Sequence, residues 1–294
     1  MESIRLIATD MDGTLLGSLP DRIPPANVEA LREADRKGMT LALATGRLPD
    51  DAGFFALDAG LPMRVLALNG CAALEEPLGE VKGARFLPPR ATRRIRALLE
   101  EADLPYNLFG LHEVALDRPP EDLPAAMMIV GTFLAREGGR TRFWPDGQHV
   151  DGMMNEASKF VVVSDDHPER LLWLKARVEA EAPEAEVTSS WVHTLEIIPA
   201  GVNKGAALSA LARQLGIPMA QVMAIGDNDN DVSMLAAAGC AVAVANATEA
   251  AKRAAHWIAP SNLEDGAAVA IRALALGDEA AMSGLMPGGR ELLK

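Results

Sequence analysis

A short apolar run, Ile4-Arg5-Leu6-Ile7-Ala8, closes on Asp10-Met11-Asp12-Gly13-Thr14, and the same pattern returns three times further along the chain. Met39–Ala44 closes on Thr45-Gly46-Arg47, Arg64–Leu68 on Asn69-Gly70, and Val222–Ile225 on Gly226-Asp227. Short apolar runs ending at turn residues read as strands buried on both faces. Between the first two lies a helical stretch, Ala26–Ala34, with Val28, Leu31 and Ala34 at helical spacing and Gly38 to end it. Buried strands alternating with helices imply parallel βαβ units in a doubly wound α/β sheet. In such a sheet all four polar ends share one edge, where open α/β sheets bind their ligands.

From about Glu80 the texture changes. Pro88-Pro89 leads into a helix, Arg90–Ala102, with Ile95, Leu98, Leu99 and Ala102 on one side. Strands are expected over Ala126–Leu134, Phe160–Ser164 and Thr194–Ile198, and a helix over Pro168–Ala182 with Leu171, Leu174 and Val178 on one stripe. After Pro199 the first pattern resumes with a helix Lys204–Leu215, the Val222 strand, and a strand Ala241–Ala245 ending at Asn246-Ala247. The expected organisation is a discontinuous core, residues 1–81 and 195–276, interrupted by an α+β module over 82–194. Residues 277–294 read as a loosely held tail, with a short docking helix around Glu279–Leu285 as the alternative.

The length of 294 residues suits two domains of about 150 residues each. A net charge of −13 argues against a nucleic-acid partner, which needs a basic footprint. It leaves room for a phosphorylated substrate, because a bound divalent cation can reverse the local field. Cys71 and Cys240 match no metal-ligand spacing and read as buried, reduced core residues. Met1-Glu2 opens without the features of a signal peptide, and no stretch reaches the ~20 apolar residues of a membrane span. A cytoplasmic protein with no membrane partner, monomeric or a homodimer, is the expectation.

Asp10 and Asp12 leave the first strand pointing the same way, because side chains alternate along extended backbone. Gly13 then allows a sharp turn. An ordinary Asx-type turn is the bland alternative. The chemical one is that a carboxylate serves as a covalent nucleophile. The other strand ends suit phosphoryl transfer, where a protein mainly positions groups and stabilises charge. Lys204, opening a helix within Asn203-Lys204-Gly205, offers a compact cation for phosphate oxygens. Asp10 and Asp227 offer oxygen ligands for Mg2+. Thr45 and the Gly46 amide can donate to phosphate. Asp12 can protonate a leaving alkoxide and later activate water, provided its surroundings favour the protonated form. Gly226-Asp227-Asn228-Asp229-Asn230-Asp231 could also be a calcium loop, but it lacks the Gly and the distant Glu of an EF-hand and directly follows a strand.

Taken together, Asp10-Met11-Asp12-Gly13-Thr14, Ala44-Thr45-Gly46-Arg47, Asn203-Lys204-Gly205 and Gly226–Asp231 closely resemble, in order and separation, the haloacid dehalogenase superfamily of aspartate-nucleophile phosphatases. The insert is similar to the αβ cap of its Cof-type subfamily, as are Glu196-Ile197-Ile198-Pro199 and Asn246-Ala247. The resemblance implies a Rossmann-like core with a substrate-specificity cap. It implies Asp10 as nucleophile and Asp12 as general acid/base, with the backbone N–H of Met11, Thr45, Gly46, Lys204 and Asn230 around the phosphate. Mg2+ would be held by Asp10, the Asp12 backbone carbonyl and Asp227, while Asp231, Arg47 and Asn69 stand behind these groups. The dehalogenases of the superfamily do not need the second aspartate, so Asp12 favours phosphate esters.

A Mg2+-dependent phosphomonoesterase acting on a small phosphorylated metabolite, such as a sugar phosphate, is therefore the leading expectation. A hexose phosphomutase, a glycosyl-phosphate phosphatase and a non-enzymatic phosphometabolite-binding regulator are the alternatives. Arg90, Arg93, Arg94 and Arg96 read as a solvated helix face, and Arg136, Arg140 and Arg142 as a charged hairpin turn. Trp144, Trp173, Trp191 and Trp257 read as packing residues.

Overall fold

The computed structural model describes residues 3–17, 22–122, 141–145, 147–189 and 193–291. Within them the chain forms two sheets. The first takes β1 (Leu6–Thr9), β2 (Thr40–Ala44), β3 (Arg64–Ala67), β4 (Ala72–Leu74) and β5 (Val81–Lys82) from the early chain. The second holds β6 (Tyr106–Phe109), β7 (Glu113–Leu116), β8 (Arg142–Trp144), β9 (Lys159–Val163), β10 (Ala185–Thr188) and β11 (Thr194–Pro199). The chain then returns to the first sheet with β12 (Val222–Gly226), β13 (Cys240–Val244), β14 (Trp257–Ala259) and β15 (Met286–Pro287).

The order of the first sheet is β15-β14-β13-β12-β1-β2-β3-β4-β5. From β14 to β3 every pairing is parallel, as the apolar runs predict. At the two edges β15, β4 and β5 pair antiparallel, which the sequence reading did not anticipate. The chain builds outward from β1 in one direction through β2 and β3, and in the other through β12, β13 and β14. The switch of direction falls between β1 and β12, where doubly wound sheets open a ligand crevice. The ends of β12, β1, β2 and β3 are thus neighbours, and all face the same way.

In the second sheet, β10-β11-β9-β6-β7-β8, one face packs on the helices Pro89–Glu101 and Pro168–Glu181 around Phe160, Val162, Leu108 and Ile197. The other face carries Phe109, Val114 and Val161, which join the hydrophobic core of the first sheet. The insert therefore lies with one sheet face directly on the core domain. β11 pairs with β9 and β10, so Thr194–Pro199 belongs to the second sheet.

The tail takes up the short helix, the alternative to a loosely held segment. Glu279–Met282 is a short helix, and β15 then adds an antiparallel edge strand beside β14. Arg290 donates to the carbonyls of Leu235 and Ala238, tying the segment down. Strand Ala126–Leu134, Arg136, Arg140 and Trp191 lie outside the described residues. Arg94 and Arg96 pair with Glu181, Glu100 and Asp151 on a solvated helix face, as expected. Both cysteines are buried and form no disulfide, and burial pushes each thiol up to about 12, keeping it protonated.

Candidate active site

The β1 ladder continues one residue past the strand, where the Asp10 amide donates to the Ile225 carbonyl at 2.9 Å. The chain then turns at once. The Met11 carbonyl accepts from the amides of Leu15 and Leu16, and the Met11 side chain is buried in the core. This turn swings Thr14 onto Asp227, with its hydroxyl 2.6 Å from Asp227 Oδ1. Gly13 sits at φ +77°, and a Cβ there would lie 2.5 Å from Asp227 Oδ2. Only glycine fits both the backbone and the space.

Lys204 arrives from the opposite side, in the first turn of the helix Lys204–Gln214. Asn203 caps that helix by accepting from the Ala206 amide at 2.9 Å. Gly205 lets the helix approach the backbone of Ser233, whose carbonyl would be 2.3 Å from a Cβ. The approach seats the Lys204 ammonium between Asp10 Oδ1 and Asp231 Oδ1, 2.6 Å from each, with 1% of the residue exposed. Asp231 is in turn fixed by the amides of Asp227 and Asn228, both 2.9 Å from its Oδ2.

Three buried carboxylates, Asp10, Asp227 and Asp231, thus face one ammonium, with candidate ligand oxygens all within 4.8 Å of one another. Burial pushes Asp10 well above the usual carboxylate range despite the pull of Lys204, and the other aspartates add to it. Asp227 is pushed up to about 7, first by burial and then by Asp231, against the pull of the Thr14 hydroxyl. Burial disfavours the charged Lys204, yet Asp10 and Asp231 outweigh it and hold the ammonium protonated. Buried acids short of positive charge are a donor set suited to a divalent cation with oxygen ligands. Asp231 is the least suited of the three, since both its oxygens already accept hydrogen bonds. Asp10 and Asp227, whose side chains also hydrogen-bond to each other, fit the magnesium expected from the sequence.

Across the end of β2, the Thr45 hydroxyl accepts from the Arg47 amide at 3.1 Å, leaving its own hydrogen to donate. Leu68, Asn69 and Gly70 after β3 all run left-handed, at φ 50°, 57° and 101°. The amides of Leu68 and Asn69 donate to the carbonyls of Arg47 and Thr45, locking the two loops together. The buried Asn230 amide group reaches Asn69 Oδ1 at 3.2 Å. Every residue marked from sequence therefore lies on this one sheet edge.

Asp12 is the exception in detail. Its half-exposed carboxylate is forked by Arg47, with Nε 2.7 Å from Oδ2 and Nη2 2.6 Å from Oδ1. Asp51 accepts from the remaining Nη1 at 2.7 Å, and these two acids hold the buried guanidinium charged against the cost of burial. Both Asp12 oxygens accept charge-assisted hydrogen bonds here, whereas a proton donor needs one of them released. The sequence reading missed this fork.

It also missed three participants: Thr14 as a partner of Asp227, and the buried pair Lys159 and Glu196 on the second sheet. A charged residue opening the apolar run Lys159–Val163, and an acid within Thr194–Ile198, were the available signals.

Residues 7–271 match the family of haloacid dehalogenase-like hydrolases. Phosphatase YwpJ of Bacillus subtilis is 29% identical over 284 residues, spanning 90% of this chain and 98% of that protein. The 5-amino-6-(5-phospho-D-ribitylamino)uracil phosphatase YcsE of the same organism is 31% identical over 278 residues, spanning 92% of this chain and 95% of its own. A solved haloacid dehalogenase-like hydrolase from B. subtilis is similar with a TM-score of 0.79 and 25% identity, over 92% of this chain and 100% of that one.

Proposed function

The chain belongs to the haloacid dehalogenase-like hydrolase family and is a phosphatase within it; from that premise we propose that it hydrolyses phosphomonoesters of small metabolites through an aspartyl-phosphate formed on Asp10. The observation that carries the reading is the Lys204 ammonium shared by Asp10 and Asp231 inside a buried acidic cluster at the sheet edge. A carboxylate that attacks a phosphate anion must overcome like-charge repulsion, and a pre-placed cation beside it lowers that cost.

Asp10, the Asp12 backbone carbonyl and Asp227 would hold Mg2+, which would supply further positive charge beside the phosphoryl group. An Asp10 oxygen attacks phosphorus, and the bond to the ester oxygen breaks. Asp12, once released by Arg47 and protonated from solvent, gives its proton to that departing oxygen. Asp12 then takes a proton from water as the water attacks the aspartyl-phosphate, which frees Asp10 and inorganic phosphate. Thr45, Gly46, Lys204 and Asn230 donate to the phosphoryl oxygens throughout, with the Met11 amide. Asp231 keeps Lys204 in place.

The insert supplies the specificity contacts in this reading, since one face of its sheet lies on the core domain above the strand ends. His112 on the insert meets Asp50 on the core at 2.7 Å, a contact that an opened cap would lose. The substrate class includes sugar phosphates and ribityl phosphates such as the one for which YcsE is named. Release of inorganic phosphate from p-nitrophenyl phosphate with Mg2+, and its loss in Asp10→Asn, tests the reading. Undiminished release in that variant would reject it. Phosphate moved between hexose positions with little net release would instead identify a mutase.

A further inference from the structure

Two buried charges play no part in the chemistry above. Lys159, the first residue of β9, and Glu196, in β11, are each only 4% exposed in their side chains, and they pair at 2.8 Å. Glu196 lies opposite Val161, two residues from Lys159 on the same face of the sheet, so the two form a diagonal cross-strand pair. That face is the one turned to the core domain. Burying two charges at a packed domain contact is costly unless hydrogen bonds complete their shells. Here the completing groups belong to the phosphate site.

The Lys159 ammonium donates to the carbonyl of Gly46 at 2.8 Å and lies 4.7 Å above the Phe109 ring centre. Glu196 Oε2 accepts from Asn69 Nδ2 at 2.6 Å. A carboxylate so placed takes donors only, which forces Asn69 to turn its NH2 toward Glu196 and its oxygen toward Asn230. Asn230 must then turn its NH2 toward Asn69, as observed at 3.2 Å. One amide hydrogen of Asn230 is spent on Asn69 and the other stays available for a phosphate oxygen. The charge on Glu196 thereby fixes the sense of two amide groups, which could otherwise flip by half a turn at small cost. Asn69 sits in the left-handed run Leu68–Gly70, a backbone that persists only where the surrounding structure holds it.

We propose that the cap-borne pair Lys159–Glu196 positions the phosphate site: Lys159 fixes the Gly46 carbonyl, and Glu196, through Asn69, orients the Asn230 amide toward the phosphoryl group. Cap docking and phosphate binding are then coupled, because the same two side chains serve both. The proposal rests on the phosphatase reading above, and it makes Lys159 and Glu196 positioning residues without contact to the reacting atoms.

The test uses the full chain with Mg2+ and p-nitrophenyl phosphate as substrate, inorganic phosphate as competitive inhibitor, and thermal unfolding as the stability readout. Lys159→Met, Glu196→Leu and the double substitution are compared, with Glu196→Gln as a fourth, conservative variant; the double removes both charges and with them the unpaired charge that threatens folding of either single. The expected result is a rise of about tenfold or more in KM and in the inhibition constant of phosphate for the first three, with kcat less affected, in line with losses seen when supporting partners of a site are removed. The double variant should regain the unfolding midpoint lost in the singles while keeping the weakened phosphate binding. Glu196→Gln, which keeps the shape and an acceptor for Asn69, should fall between wild type and Glu196→Leu. Wild-type KM and phosphate inhibition in a stable double variant would overturn the proposal, leaving the pair a purely structural contact. A wild-type protein that releases no phosphate would instead count against the phosphatase reading itself.

Discussion

Lys204 and Asp10 are 194 residues apart in sequence, yet their charged groups meet at 2.6 Å inside the protein. The contact is possible because β1 and the helix Lys204–Gln214 converge on the same sheet edge, with Asn203 capping the helix and Gly205 admitting it against Ser233. The ammonium hydrogen-bonds two members, Asp10 and Asp231, of a cluster of three buried acids. Structure and charge are therefore inseparable at this position.

Lys204→Met should abolish turnover and also weaken the fold. Removing one member of a buried ion pair leaves uncompensated charge, at about 3–5 kcal/mol. Denaturant unfolding checks the stability loss. Mg2+ should recover part of it by neutralising Asp10 and Asp227. A variant as stable as wild type would show that Asp10 and Asp231 do not depend on Lys204.

The metal-free protein should lose stability as pH rises across neutrality. Asp227 titrates at about 7 in the folded protein against 3.8 ordinarily, so between those values the folded state keeps a proton that the unfolded chain has released. The stabilisation from that proton is full below the ordinary value and is lost as pH rises through about 7. Asp10, raised in the same direction, adds to the trend. With chelator present, the unfolding midpoint should fall between about pH 5.5 and about pH 8. Mg2+ should raise it more at the higher pH, where it no longer competes with protons. A flat profile without metal would contradict this.

Gly13→Ala should damage metal binding more than folding. The added Cβ would meet Asp227 Oδ2 at 2.5 Å, on a backbone at φ +77° that costs a side chain about 1–2 kcal/mol. Titration of activity with Mg2+ should show a shifted half-saturation point. An unchanged metal dependence would mean that the Asp227 oxygen facing Gly13 is not a ligand.

Asp12→Asn should separate the two halves of the reaction. General acid–base catalysis is worth about 10²–10⁴-fold, and p-nitrophenol leaves without needing a proton. The variant should release one equivalent of p-nitrophenol quickly and then turn over slowly, as the acyl phosphate waits for a base. Stopped-flow absorbance checks the burst. A variant with neither burst nor slow phase, and wild-type rate, would remove Asp12 from the mechanism.

Much of this architecture was legible in the sequence, for a physical reason. Buried parallel strands leave apolar runs, and their polar ends must lie together once the sheet is parallel; Asp10, Thr45, Asn69 and Asp227 follow from that alone. The antiparallel edges escaped because β4, β5 and β15 are only two or three residues long, too short for a periodic signal. The tail's anchoring escaped because it is through backbone and Arg290 rather than an apolar stripe. Side-chain pairing was the larger gap. Nothing in the spacing of Asp12 and Arg47, or of Lys159 and Glu196, says that they meet, since each pair joins segments whose separation only the tertiary fold sets.

The most direct measurement is to quench a reaction with Mg2+ and a phosphate monoester in acid and map the phosphoryl group by mass spectrometry. The expected result is phosphate on Asp10, absent from Asp10→Asn. Phosphorylation at another residue, or full turnover by Asp10→Asn, would contradict the proposed mechanism.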